Sequence, residues 1–385
     1  MANVLTDLAA DIYRAADIVG RELVGVIPSV TINAGSEGAA FNDTVRAAFT
    51  AQPTLNTSYT PSMTTPEGDD QTVTNKTMTI DKVANVQIPW TGEDIKHVSN
   101  GAGYETIYGD QLAQAMRTIT NAIEGHAAAT LALGASRAIG TAGTTPFGSN
   151  FDVIAEARQI LVDNGMPLDA QATVAMNSSA GTKLRNLAQL QKVNEAGGDS
   201  LLRRGELLNL QGLMLKESNG IAAHTKGTAT GALVNGALAI GATAVVFDGA
   251  TAGATGIKAG DVITFAADAV NKYVVETGLV GASGTITIAA PGLRVAIADN
   301  NAITVGGSYA GNVAFHRAAA ELVVRPPAQP FGGDAAVDRM TVQDPFSGLV
   351  YEIAVYKGYG KVMFDVTTFY AAKVWKPDFV ATLLG

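Results

Sequence analysis

The segment 221–311 does most to restrict what this chain can fold into. It holds 15 glycines and 9 charged residues, and its apolar positions fall in short Val/Ile/Thr runs. Glycine at that density prevents a long helix, and β-branched residues favour pleated backbone. Five runs stand out, at 244–247, 262–265, 272–275, 285–288 and 302–305, each bounded by Gly, Asn or Asp. Short, evenly spaced strands with turn signals predict a small barrel or sandwich, and the count of five suits a barrel. Helix-patterned sequence lies on both sides. The expected architecture is therefore α+β, with a small β barrel inserted into a larger body.

At 385 residues the chain can bury ample core without staples. Charged residues make up only 16%, against about 25% in an ordinary soluble domain. Either the surface is a bland mixture of Gly, Ala and Thr, or much of it is covered in a large assembly. The formal charge of −9 argues against broad adhesion to nucleic acid, because phosphate contacts need Lys and Arg. With no cysteine there is no disulfide, thiolate nucleophile or zinc–thiolate site. The first ten residues lack the basic start of a secretory signal and carry Asp7. The longest uncharged stretch, 227–247, is cut by Gly231, Gly236 and Gly241, so it reads as strands and turns and not as a membrane helix.

Along the chain, residues 1–50 open with an amphipathic helix signal through Leu5, Leu8, Ile12 and Val19, with Asp7, Asp11 and Asp17 mostly off that stripe. This is an arm that packs on the body or reaches a neighbour. Residues 51–92 are expected to form a long extended hairpin. Its first half is rich in Thr, Ser and Pro, and in its second half Ala84, Val86, Ile88 and Trp90 share one face. A flap of this length has little core of its own. Val86, Ile88 and Trp90 are accordingly the candidate contacts to a neighbouring molecule. Thr91-Gly92-Glu93-Asp94 has capping-box spacing. A long helix is predicted over 108–136, with Leu112, Met116, Ile119, Ile123, Ala127 and Leu131 inward and His126 on its surface. A helix follows at 153–161, stopped by Gly165 and Pro167, then a strand at 172–176, a Ser-capped helix carrying Leu184, Leu187 and Leu190, and a strand at 213–216. Beyond the insertion a helix is predicted at 313–324, then strands at 350–356 and 362–370, with the chain leaving near Pro377. The divisions are thus 1–50, 51–92, 93–220, 221–311 and 312–385.

Searches for chemistry return little. His97, His126, His224 and His316 are never closer than 29 positions, so no HxxxH metal pair exists. There is no phosphate-cradling GxxxxGK[ST] loop and no GxSxG elbow, and both Gly358-Tyr359-Gly360-Lys361 and Gly101-Ala102-Gly103 fail the GxGxxG pattern. Glu67-Gly68-Asp69-Asp70 lacks the ligands of a cation loop and reads as a solvated turn. Arg203-Arg204, the only adjacent basic pair, is more suited to carboxylates or solvent than to phosphate. No catalytic, metal or cofactor residue is assigned. The sequence suits a molecule that acts by shape and surface.

In its order of parts the chain resembles the P22-type major capsid (coat) proteins of tailed bacteriophages, which have the HK97-like fold with an inserted domain. The segments that carry the resemblance are Asp110-Gln111-Leu112-Ala113-Gln114-Ala115-Met116-Arg117, Gly311-Asn312-Val313-Ala314-Phe315-His316-Arg317, and Lys258-Ala259-Gly260-Asp261-Val262-Ile263-Thr264-Phe265 inside the insertion. The resemblance implies a peripheral region built from the hairpin, spine helix and closing strands. It implies a central α/β domain from about 150–220 and 312–340. It further implies a non-catalytic, self-assembling icosahedral shell of hexamers and pentamers, which encloses double-stranded DNA without reading its sequence. Scaffolding protein and portal would be partners during assembly in the bacterial host cytoplasm, with no membrane and no cofactor. Asp7, Asp11 and Asp17 are candidates for capturing a basic scaffolding segment. Two other classes stay open: a different phage structural or adhesive component, such as a tail or decoration protein, and a hydrolase with its cleft at the insertion.

Overall fold

The computed structural model describes residues 22–50, 53, 55–65, 68, 70, 73–99, 104–191, 207, 209–251, 253–344 and 347–385. The expected N-terminal helix, with Asp7, Asp11 and Asp17, lies outside these residues, as do Arg203 and Arg204. No helix among the described residues is long and apolar enough to cross a membrane.

One sheet is organised around the 14-residue strand Lys361–Val374. Along one edge it pairs first with Val350–Gly358 and then with Ala320–Arg325; along the other it pairs with Lys82–Thr91. Thr31–Ala34 and Ala336–Gln343 complete the sheet at its edges. The turn between Val350–Gly358 and Lys361–Val374 is two residues, Tyr359-Gly360, and Gly360 takes φ +63°, where only glycine is free of strain. The spine helix Tyr104–Leu133 lies across this sheet. Ile119, Ile123, Ala127 and Leu131 are buried on its inner stripe against Tyr351, Phe364, Val366 and Tyr370, as the three-to-four spacing predicts.

The second sheet runs in the order Met214–Glu217, Ala172–Met176, Tyr309–His316, Val380–Leu384, Arg137–Gly140, Asp268–Thr277, Gly284–Ile288, Ala244–Asp248 and Leu233–Val234. Helix Asp152–Asp163 covers its first half, burying Ile154, Ala157, Ile160 and Leu161 against Val174, Met176, Ala381 and Leu383. All five runs expected in 221–311 are strands. They enclose a core of their own that includes Phe247, Phe265, Tyr273 and Ile286. Val234 donates to the Asn301 carbonyl and Ile303 to that of Ala232, both at 2.9 Å, so the short strand Leu233–Val234, which precedes the five, meets the last of them. The Lys272↔Ala138 and Tyr273↔Arg137 pairs join the block to the body.

Several expectations are corrected. The helix predicted at 313–324 is the strand Tyr309–His316, a short turn, and the strand Ala320–Arg325. A run whose two faces are both buried has no polar spacing to reveal its period, so apolar content alone cannot separate helix from strand. The helix Ser178–Arg185 is capped by Asn177, not by serine: its Oδ1 accepts from Ala180 N at 2.9 Å. The chain does not leave the body near Pro377. Val380–Leu384 returns as a fully buried strand between Tyr309–His316 and Arg137–Gly140. The hairpin is also shifted. Its ladder joins Thr44–Thr50 to Val73–Thr79, whereas Lys82–Thr91 has already entered the main sheet.

That shift moves the predicted contact residues. Trp90 is 1% exposed and Ile88 is buried, with half-buried Val86 packed beside them under the spine helix. Trp90 Nε1 donates to Gln111 Oε1 on that helix at 2.9 Å. Val86, Ile88 and Trp90 therefore bury their apolar face inside their own subunit, which leaves it unavailable to a neighbour. Alternation selects the buried face, and the tertiary partner of that face is the chain's own helix.

Candidate functional site

The hairpin is anchored at its base and free at its tip. Val45, Ala47 and Phe49 alternate inward with Met78 and Ile80 onto Ala371 and Trp375, and the Phe49 and Trp375 rings are 5.7 Å apart. Lys76 Nζ stacks over Phe49 at 4.8 Å and donates to the Trp375 carbonyl at 2.6 Å, while Lys373 Nζ donates to the Thr77 carbonyl at 2.6 Å. Beyond this base, 55–65 is exposed throughout and carries no charge. Leu55, Tyr59 and Met63 are 82%, 91% and 104% exposed. Three large apolar side chains held clear of the body on a charge-free loop form a surface suited to burial against another molecule. Their spacing of four residues in a Pro/Thr-rich stretch is a signal that the sequence itself carries.

On the spine helix, a single carboxylate clasps the segment that enters the body. Glu124 is 1% exposed. It accepts from the amides of Gly25, Val26 and Ile27 at 2.8, 2.8 and 2.9 Å and from Ser218 Oγ at 2.6 Å. Gly25 and Gly220 permit this approach: a Cβ on Gly25 would lie 2.5 Å from the Glu217 carbonyl, and one on Gly220 would lie 2.7 Å from Glu124 Cγ. Two turns closer to the helix start, Arg117 Nε donates to Glu22 Oε2 at 2.7 Å. The Arg117 guanidinium holds the Glu22 carboxyl down to about 2, with Asn121 assisting. Nothing in the local sequence around Glu124 announces this role, because its partners are about a hundred residues away.

A third feature is a turn mounted on a polar network. Phe331 is fully exposed beside Gly332 and Gly333, and both glycines have positive φ. Behind it Arg339 pairs with Asp334 at 2.5 Å and also with Glu352, and Tyr356 donates to Asp334 at 2.7 Å. Arg339 and Tyr356 together hold the Asp334 carboxyl well below the usual carboxylate range.

The cleft between insertion and body, where a hydrolytic site was entertained, has a volume of about 280 Å³ and is lined largely by alanines, with His224, Lys258 and Tyr309. The His224 imidazole contacts Asp261 at 2.9 Å, and Asp261 also accepts from the amides of Gly227 and Lys258. The carboxylate thus ties down the entry to the insertion. Of the other histidines, His316 contacts Asp169 at 2.8 Å. His126, expected on the helix surface, is half-buried with its ring edge-on to Tyr370 at 5.5 Å. No three metal-capable side chains converge among the described residues.

Neither a known family model nor a curated protein sequence matches the chain. Solved structures do. The chain is similar to one from Mycobacterium phage Che8, with 15% identity and TM-score 0.53 over 99% of this chain and 98% of that one. It is similar to the capsid structure of cyanophage P-SCSP1u, with 13% identity and TM-score 0.53 over 98% and 93%. It is also similar to the mature capsid of bacteriophage PhiM1, with 12% identity and TM-score 0.50 over 97% and 91%. At such identities the likeness concerns the fold. The HK97-like α+β fold implied by the sequence resemblance is the one this chain has.

Proposed function

We propose that this chain is the major capsid protein of a tailed bacteriophage, a non-catalytic subunit that self-assembles into an icosahedral shell. The observation that carries this reading is likeness in fold, over nearly the full length of both partners, to chains described as phage capsids. The exposed, charge-free hairpin tip and the low overall charge support it. In such a shell each contact can be modest, because every subunit touches several neighbours and closure multiplies weak interfaces.

In this reading Leu55, Tyr59 and Met63 settle on an adjacent copy, at about 25 cal/mol per Å² of apolar surface before ordering costs are subtracted. The block 221–311 acts as a small barrel inserted in the P22 manner, and hexamers and pentamers make up the lattice. An acidic subunit suits a container for double-stranded DNA, since tight phosphate binding by the wall would hinder movement of the genome. Assembly takes place in the bacterial host cytoplasm with scaffolding protein and portal. Asp7, Asp11 and Asp17 offer a basic scaffolding segment three carboxylates. Reversing all three charges is expected to abolish scaffold incorporation, and unchanged incorporation would remove them from that role.

Electron microscopy of the expressed protein, with and without neighbouring phage genes, tests the central claim: closed shells are expected, and a strictly monomeric particle at high concentration would end it. Deleting 56–70 is expected to leave a folded subunit that no longer closes shells. Normal shells from that variant would refute the role of the tip.

A further inference from the structure

An under-compensated cation is buried where the inserted block joins the body. Arg137 opposes Tyr273 of the insertion across the seam and is only 8% exposed. Its guanidinium carries five N–H donors. Among the described residues it finds two acceptors, both neutral amide oxygens: Asn271 Oδ1 at 3.1 Å from Nη1 and Asn164 Oδ1 at 3.5 Å from Nη2. Nε has none. Arg294, from the insertion, donates to the same Asn164 oxygen at 3.0 Å. Two guanidiniums therefore converge on one amide oxygen, and neither forms an ion pair with a carboxylate among the described residues. By contrast Arg117, Arg185 and Arg339 each hold a carboxylate directly. Burial first and the neighbouring Arg294 second push Arg137 below its ordinary value, against smaller opposing pulls from Asp163, Tyr273 and Asp268, none of which accepts a hydrogen bond from its guanidinium.

A buried charge without a directly paired carboxylate is costly, and a buried donor without an acceptor adds to that cost. Beside Arg137 a polar cavity of about 430 Å³ opens, lined also by Asn271, Lys272, Gln159, Glu156 and Asp163. Glu156 and Asp163 stand on the exposed face of helix Asp152–Asp163 and form the outer wall. Two carboxylates there repel a polyanion but leave room for one compact anion close to Arg137. We infer that this cavity is an oxyanion site, which receives one carboxylate- or phosphate-class group on the Arg137 guanidinium with Asn271 and Lys272 beside it. The anion can be free inorganic phosphate or a carboxylate side chain of an adjacent copy. Only the second source rests on the shell reading.

The test uses full-length, unassembled protein titrated with inorganic phosphate, with chloride at matched ionic strength as control, read by thermal midpoint and calorimetry. A saturable rise in midpoint is expected, with affinity weakened about ten-fold or more in Arg137→Met and Lys272→Met, as loss of a charge-assisted bond predicts. Absence of saturable binding to the wild-type chain overturns the proposal whatever the variants do. Equal binding to Lys272→Met and wild type overturns it too, and this variant, altered at a half-buried position, serves if Arg137→Met does not fold. Repeating the titration on assembled shells separates the sources. Binding retained there identifies a free anion, and binding lost on assembly identifies a neighbour's carboxylate. A protein that never assembles still yields the first result, so failure of the shell reading and failure of the site are told apart.

Discussion

Glu124 does at the residue scale what a cap does at a helix end, but across the fold: it satisfies three successive amides of an incoming segment and one hydroxyl beside the entry to the insertion. Glu124→Gln keeps the shape but turns an NH₂ towards donors. Because it leaves buried N–H groups without a charged acceptor, it is expected to cost about 3 kcal/mol, measured by urea unfolding of the unassembled subunit. A cost near zero would mean that the segment 25–27 is held by its apolar contacts alone. His126 provides a pH dependence. Burial first, and Lys82 second, lower its pKa from 6.5, against a smaller opposing pull from Asp81. Between the lowered value and 6.5 the unfolded chain binds more protons than the folded one, so this group's contribution to stability is full above that window and falls as acid passes through it. Comparing unfolding midpoints of wild type and His126→Gln at about pH 5 and pH 7 checks the sign: the variant should lose less stability on acidification.

At the scale of elements, the reading succeeded where the pattern was local. The spine helix, the strand at 172–176 and the alternation through Trp90 follow from side-chain period. The Thr91–Asp94 box is present with both reciprocal bonds, at 3.1 and 3.2 Å. Failures came where both faces of a strand are covered, as in Tyr309–His316 and Val380–Leu384, since a continuous apolar run carries no period. The second of these strands carries a prediction. It bridges Tyr309–His316 and Arg137–Gly140 in mid-sheet, so removing 380–385 would expose two ladder edges and part of the core. The truncated chain is expected to lose its native state, read as insolubility or a collapsed near-ultraviolet spectrum. A soluble, cooperatively folding product would show that the sheet closes without its central strand.

For the whole molecule, the inserted block has its own core and yet shares a sheet with the body. If its core suffices, residues 222–310 expressed alone should give dispersed β-type amide shifts. A collapsed spectrum would mean that the Arg137–Ala138 pairing and the adjoining helix are needed for it to fold. The scarcity of charge also acts at this scale. With few charges to repel copies from one another, the proposed shell would rest on apolar surfaces such as the hairpin tip and Phe331.

The candidate surfaces divide along the same line. Composition and spacing were enough to determine the α+β class, the glycine-punctuated strands of the insertion, the long helix and the absence of familiar reaction motifs, because each depends on residues near one another in the chain. Whether Trp90 faces a neighbour or its own helix, why Glu124 is buried, and how Arg137 and Arg294 come to share one amide oxygen depended on packing between segments far apart in sequence. Side-chain period selects the face a strand buries. What lies against that face is decided only when the sheets and helix close over it.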